Sequence, residues 1–157
     1  MSTPARQIAI PRLPNFKRVS PNALAYIHWA KRYSAVKREI DEWRIALIAQ
    51  CGLAPVPHGT EPVVEGDAAL RITLRFPKKR RVDGDNALAS LKPLIDLTQV
   101  PRAVLRGGKP RMLPGHLGWV ADDKQYGDRI TLTMEEETGE QATVLALDEA
   151  AAASHLT

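Results

Sequence analysis

The chain has 157 residues, 44% of them hydrophobic, with 22 Lys and Arg against 18 Asp and Glu for a net charge of +4. That is the size of a single soluble globular unit with a core of its own. No apolar run approaches the roughly 18 residues of a membrane span, MSTPARQIAIPRLP lacks the apolar stretch of a secretory signal, and the lone Cys51 excludes a disulfide framework and a Cys-based zinc site.

The expectation is a protein of a reducing cytoplasm, with no membrane partner and with Cys51 as a small apolar filler on a helix. The charge is unevenly spread. Arg71 to Arg111 holds eleven Lys/Arg against three Asp, whereas everything after Met112 holds two against nine Asp/Glu. Such a basic block attracts polyanions, or is simply a solvated face.

In QIAIPRLP, prolines interrupt a short apolar alternation, which predicts an edge strand at best. Ser20-Pro21 suits a helix start, serine as cap and proline in the first turn. Leu24, Ile27, Val36, Ile40, Trp43 and Leu47 recur at helical spacing, slipping around Tyr33-Ser34. One long helix or two consecutive ones should end near Cys51-Gly52. Residues 53–68 are rich in Pro and Gly and read as a loop.

The period then changes to two. In LRITLRF, Leu70, Ile72, Leu74 and Phe76 alternate with Arg71, Thr73 and Arg75, a strand with one buried and one basic face. It leads into RRVDGDNALASLKPLID. Asp83 or Asp85 can cap the helix that follows, and Gly84 permits a sharp turn aiming both carboxylates into a common space. At about 100° per residue, Asp85, Lys92 and Asp96 lie within roughly 20° of one line, opposite Leu88, Leu91, Leu94 and Ile95. Pro93 should kink this helix beside Lys92.

A basic, proline-punctuated stretch follows, in which Gly107-Gly108 can close a hairpin. Its Gly-Gly-Lys is not a phosphate-binding loop, because the first glycine and the Ser/Thr after the lysine are absent. Asp122-Asp123 then precede a strand with Ile130, Leu132 and Met134 alternating. After the turn EETGE, ATVLAL suggests its partner strand. DEAAAASHLT reads as a frayed tail or short helix.

The chemistry lies in the aspartates. Were Asp122 or Asp123 to join Asp83 and Asp85, carboxylates ~4 Å apart would repel by ~4 kcal/mol at an effective dielectric of ~20. A cation would be needed, and Mg²⁺, a hard ion held by a few carboxylates and waters, is the natural one, with Mn²⁺ a substitute. Beside Lys78, Lys79, Arg80 and Arg81 it suggests phosphodiester chemistry, the cations neutralising phosphates without reading bases. Lys92 would stabilise charge on the phosphate or leaving oxygen. A nuclear-targeting tract is the other reading of KKRR. His28, His58, His116 and His155 have no ligand spacing, and Trp119 reads as core or interface filler.

In the order D-x-D-N, L-K-x-x-x-D and D-D, with a strand before and two strands after, the chain resembles the RusA family of Holliday junction resolvases, small endonucleases often found in phages and prophages. The resemblance covers 70–147. It implies a small α/β (α+β) fold, a mixed sheet packed against helices; together with the strand and helices read over 6–52 this makes one domain over 1–147, followed by a tail over 148–157. It further implies that Asp83 and Asp85, with one of Asp122 and Asp123, more naturally Asp123, hold Mg²⁺. The activity implied is paired symmetric nicking of four-way DNA junctions, in recombination and repair, by a homodimer whose two-fold axis matches that of the substrate. The family's lysine lies three residues after the Asn, where this chain has Ala89; Lys92 is one turn later. Between Asp96 and Asp122 the link is longer than the family pattern, and a basic insertion over 98–118 is expected either to contact DNA through Arg106, Lys109 and Arg111 or to be a disordered surface excursion.

Two other functions fit the same residues: a non-catalytic basic DNA-binding module whose aspartates are caps, and a Mg²⁺ nuclease of another branched or RNA substrate.

Overall fold

A computed structural model describes residues 6–25, 27–80 and 82–150. The chain runs β1 (Arg6–Ile10), α1 (Phe16–Val19), α2 (Pro21–Leu24), α3 (Trp29–Ala49), β2 (Ala68–Arg75), α4 (Gly84–Ser90), α5 (Lys92–Leu97), β3 (Arg102–Arg106), β4 (Lys109–Leu113), a 3₁₀ turn (Asp123–Gln125), β5 (Ile130–Glu135) and β6 (Ala142–Glu149). It is the mixed α+β fold expected, a four-stranded sheet in the order β1-β6-β2-β5 with helices and a separate β3-β4 pair. Among the described residues no helix is long and apolar enough to cross a membrane.

The alternation in β2 fixes its faces: Ala68, Leu70, Ile72 and Leu74 are buried while Arg71 and Arg75 are exposed. The basic face is already neutralised, since Arg71 pairs with Asp148 and Arg75 with Glu135, each at 3.1 Å. β5 lies parallel to β2, with Leu70 opposite Ile130, while β6 runs antiparallel between β2 and β1. ATVLAL is therefore not the hairpin partner of β5. Thr143 to Leu147 are all buried, and a continuous buried run belongs to a strand covered on both faces. β6 also extends to Glu149, so the tail begins later than 148; residues 151–157 lie outside the described residues.

Ser20 caps α2 as expected, its hydroxyl accepting from Ala23 N–H at 3.1 Å with Pro21 at the first position. That helix lasts one turn. The break falls before Trp29 rather than at Tyr33-Ser34, because His28 Nδ1 accepts from Ala30 N–H at 3.3 Å and caps a new helix. α3 then buries Trp43 and Leu47, while Val36 and Ile40, on the same stripe, stay half-buried. Glu39, fully buried, is bound by Arg12 and by Asn15 N–H at 2.8 Å. Cys51 lies just beyond the helix, half-buried, rather than on it.

α4 and α5 meet at Leu91, the kink that Pro93 demands. Their apolar side, including Ala87, Leu91, Leu94 and Leu97, enters the core. The region expected to be a basic insertion over 98–118 is only partly one. Thr98 and His116 are fully buried, and the backbone closes so tightly that a Cβ on Gly115 would lie 2.6 Å from the Gln99 carbonyl oxygen. The loop 53–68 lies along the same segment, Val64 N–H donating to the Trp119 carbonyl at 3.0 Å. What stands out from the body is the β3-β4 hairpin. Gly107 and Gly108, at φ 58° and 76°, form its two-residue turn, the left-handed pair that hairpin twist favours.

Candidate active site

Asp83 is the N-cap of α4: its carboxylate accepts from Asp85 N–H at 3.3 Å and from the Asn86 amide at 3.5 Å. Gly84 is not the sharp turn expected, for its φ is not left-handed and an added Cβ would meet nothing within 4 Å. Asp85 sits in the first turn, exposed, where the helix dipole favours a negative charge. Among the described residues its carboxylate has no hydrogen-bond or ion-pair partner.

Immediately after the kink, Lys92 bridges two acids. Its ammonium pairs with Asp96 at 2.8 Å and with Asp123, 31 residues away in the chain. Burial opposes the Lys92 charge, but the hydrogen bonds to Asp123 and Asp96 outweigh it and hold the pKa above the usual lysine value. Asp96 is pushed above the ordinary carboxylate range, by burial first, against the pull of Lys92.

The two aspartates of ADD have different duties. Asp122 caps the 3₁₀ turn, accepting from Lys124 N–H at 2.9 Å, and pairs with Arg102 at 3.0 Å. The Lys124 amide first, then Asp123 and Arg102, keep its pKa below the usual value against the cost of burial. Asp123 is held by its backbone, whose N–H donates to Gln99 Oε1 at 3.1 Å, leaving the carboxylate to Lys92.

Two glutamines that sequence reasoning passed over hold this corner together. Gln99 also donates to the Asp96 carbonyl at 3.1 Å. Gln125 accepts from Ala121 N–H at 2.7 Å and donates to the Val64 and Gly66 carbonyls, so it pins ADD to the loop before β2. The signal for Gln125 is present in D-D-K-Q, since Asp followed three residues later by Gln is a capping box, and that box is formed. Nothing comparable marks Gln99.

No protein-family model matches the chain, and no curated protein is significantly similar to it. The resemblance to RusA thus rests on the motif residues alone. Of those, the structure brings Lys92, Asp96 and Asp123 together and joins Asp122 to Arg102. It does not gather Asp83 and Asp85 with them into one cluster: among the described residues no group of three or more His, Cys, Asp or Glu is arranged to hold a metal ion. The donors themselves suit Mg²⁺, being carboxylate oxygens throughout.

The cations divide in the same way. Lys78 and Lys79 are exposed, whereas Arg80 lies over the Phe16 ring at 4.8 Å and is partly committed to it. Arg81 lies outside the described residues. Arg106, Lys109 and Arg111 are exposed on the hairpin. Residues opposite one another in an antiparallel pair share a face. The register therefore sets all four hairpin cations, these three and Arg102, on one side with Val104 and Leu113. Ala103, Leu105, Pro110 and Met112 form the other. Trp119 is buried, as expected of a core residue, and the His116 ring bonds the Leu53 carbonyl at 2.8 Å.

Proposed function

We propose that the chain is a Mg²⁺-dependent, structure-selective endodeoxyribonuclease of RusA type, which as a homodimer resolves four-way DNA junctions by paired hydrolysis. The observation that carries this reading is the Lys92–Asp123 ion pair, which joins the helix after DGDN to the distant ADD segment. It also supports Asp123 over Asp122 as the functional acid, because Asp123 is the one in contact with Lys92 while Asp122 is engaged by its cap and by Arg102.

Asp83, Asp85 and Asp123, which are not gathered into one cluster, would have to come together to hold the ion; of the three, Asp85 has uncommitted oxygens among the described residues. When bound, Mg²⁺ polarises a phosphate and lowers the pKa of its water. Lys92, kept cationic by its two acids, supplies positive charge for a phosphate or leaving oxygen. Lys78, Lys79, Arg106, Lys109 and Arg111 hold backbone phosphates and position the strand without reading sequence.

Asp83→Asn and Asp85→Asn test the site. Asn caps a helix about as well as Asp, so both variants should fold and bind a labelled junction, yet cut it at least about a hundredfold more slowly than wild type, the scale on which a single catalytic group acts. Undiminished nicking by both would remove the site. Comparison of junction, linear duplex, flap and RNA tests the substrate; equal cutting of junction and duplex would end the resolvase reading.

One observation favours a second reading, a non-catalytic DNA-binding module: Asp83 and Asp122 both already serve as caps. That module would shift a junction band with Mg²⁺ present and leave every strand intact.

A further inference from the structure

Away from the aspartates, a groove of about 490 Å³ runs between α3 and the base of the β3-β4 hairpin, a size typical of ligand clefts, roughly 300–1,000 Å³. Val36, Ile40 and Leu113 give it apolar walls, and Tyr33 and Met112 stand at its edge, 66% and 59% exposed. Lys37, Arg44 and a single acid, Asp41, supply its charges. Arg44 Nε is buried and has no hydrogen-bond partner among the described residues, an expensive state for a cationic donor unless something else accepts from it.

The surroundings select the occupant. Residues 29–38 of α3 contain Lys31, Arg32, Lys37 and Arg38 and no acid, and hairpin residues 102–113 contain four cations and no acid. A second copy docking patch to patch would set these cations against their own images, whereas a polyanion is attracted to them. An apolar slot edged by a tyrosine accepts the face of a base, which is available only where the strand is unpaired.

We propose that this groove holds an unpaired nucleotide of the nucleic-acid substrate, its base against Tyr33 and Met112 and its phosphate near Lys37 and Arg44. The groove is linked to the candidate active site through one short segment, 99–102: Gln99 holds Asp123, Pro101 lines the groove and Arg102 holds Asp122. The inference deepens the nuclease reading by adding a site for unpaired strand, but binding can be measured without turnover.

Fluorescence anisotropy of the full chain with a labelled oligothymidylate and with a blunt duplex tests it. Tyr33→Ala should weaken oligothymidylate binding about tenfold or more, the range measured for loss of one stacked base, with duplex binding unchanged; Tyr33→Phe should restore it. Tyr33 is exposed, so the fold should survive, which circular dichroism checks. The inference is overturned if Tyr33→Ala binds oligothymidylate as wild type does, or loses both ligands equally. It is also overturned if the wild type does not bind the oligonucleotide, or if sedimentation shows the substitution splitting a dimer, which would give the groove to a second copy. A Tyr33-dependent single-strand binder that cuts no DNA with Mg²⁺ keeps this inference and ends the nuclease reading; a nuclease indifferent to Tyr33 does the reverse.

Discussion

At the level of single residues, the most deeply buried acid is fully paired. Glu39 is fully buried and satisfied by Arg12 and the Asn15 amide, so Glu39→Ala should leave the Asn15 N–H without its acceptor and Arg12 with Glu42 as its remaining acid at 2.9 Å, costing about 1–3 kcal/mol in urea unfolding. The pH dependence follows from two carboxylates held low. The Arg18 hydrogen bond lowers the pKa of Glu42, and the Lys124 amide that of Asp122. A depressed carboxylate stabilises the fold above its unfolded pKa, about 4, and that contribution is lost as pH falls through the folded value. Asp96 has the opposite sign: raised by burial, it favours the folded state when protonated. Acid should therefore reduce stability below about pH 4 through Glu42 and Asp122, and Asp96→Asn should raise the urea midpoint near neutral pH while losing its gain in acid. A midpoint for Asp96→Asn that shows no such pH dependence would contradict the assignment.

Elements were legible where local pattern and tertiary environment agree. The alternation of β2, the cap at Ser20, the kink at Pro93 and the turn at Gly107-Gly108 each follow from the backbone preferences of a few neighbouring residues. The hairpin gives a sharp test: Asn is the side chain most tolerant of a left-handed turn position, so Gly107→Asn should leave amide exchange across 102–113 unchanged, whereas Gly108→Val should accelerate it. Gly115 differs, since its conformation is ordinary but its surroundings are not. With three backbone atoms within 2.6 Å of where an alanine methyl would sit, Gly115→Ala should destabilise the protein by about 2 kcal/mol or more. Thermal melting would register that as a clear drop, and a melting temperature equal to wild type would refute the close approach.

For the molecule as a whole, charge is segregated between a basic hairpin and an acidic C-terminal stretch. The salt dependence of junction binding reads this directly. Each neutralised phosphate contributes roughly −0.9 to the slope of log K against log salt, so replacing Arg106, Lys109 and Arg111 with Ala should flatten that slope by up to ~3. An unchanged slope would mean that the hairpin does not touch nucleic acid.

The acids and the lysine of the candidate site could be picked out of the sequence, but their partnerships could not. Motif order singled out Asp83, Asp85, Lys92 and Asp123, because side-chain chemistry and short-range spacing are written along the chain. That Lys92 reaches Asp123, that Asp122 goes to Arg102, and that Gln99 holds the corner depend on how α5 and the 3₁₀ turn pack over a core assembled from remote segments. The same holds for β6. Its apolar run announced a strand, yet its place between β1 and β2 was set by which faces had to be buried together, a choice made by contacts across more than sixty residues of chain. Short-range sterics and hydrogen bonding specify elements locally; burial is shared among them, and so is resolved by the fold.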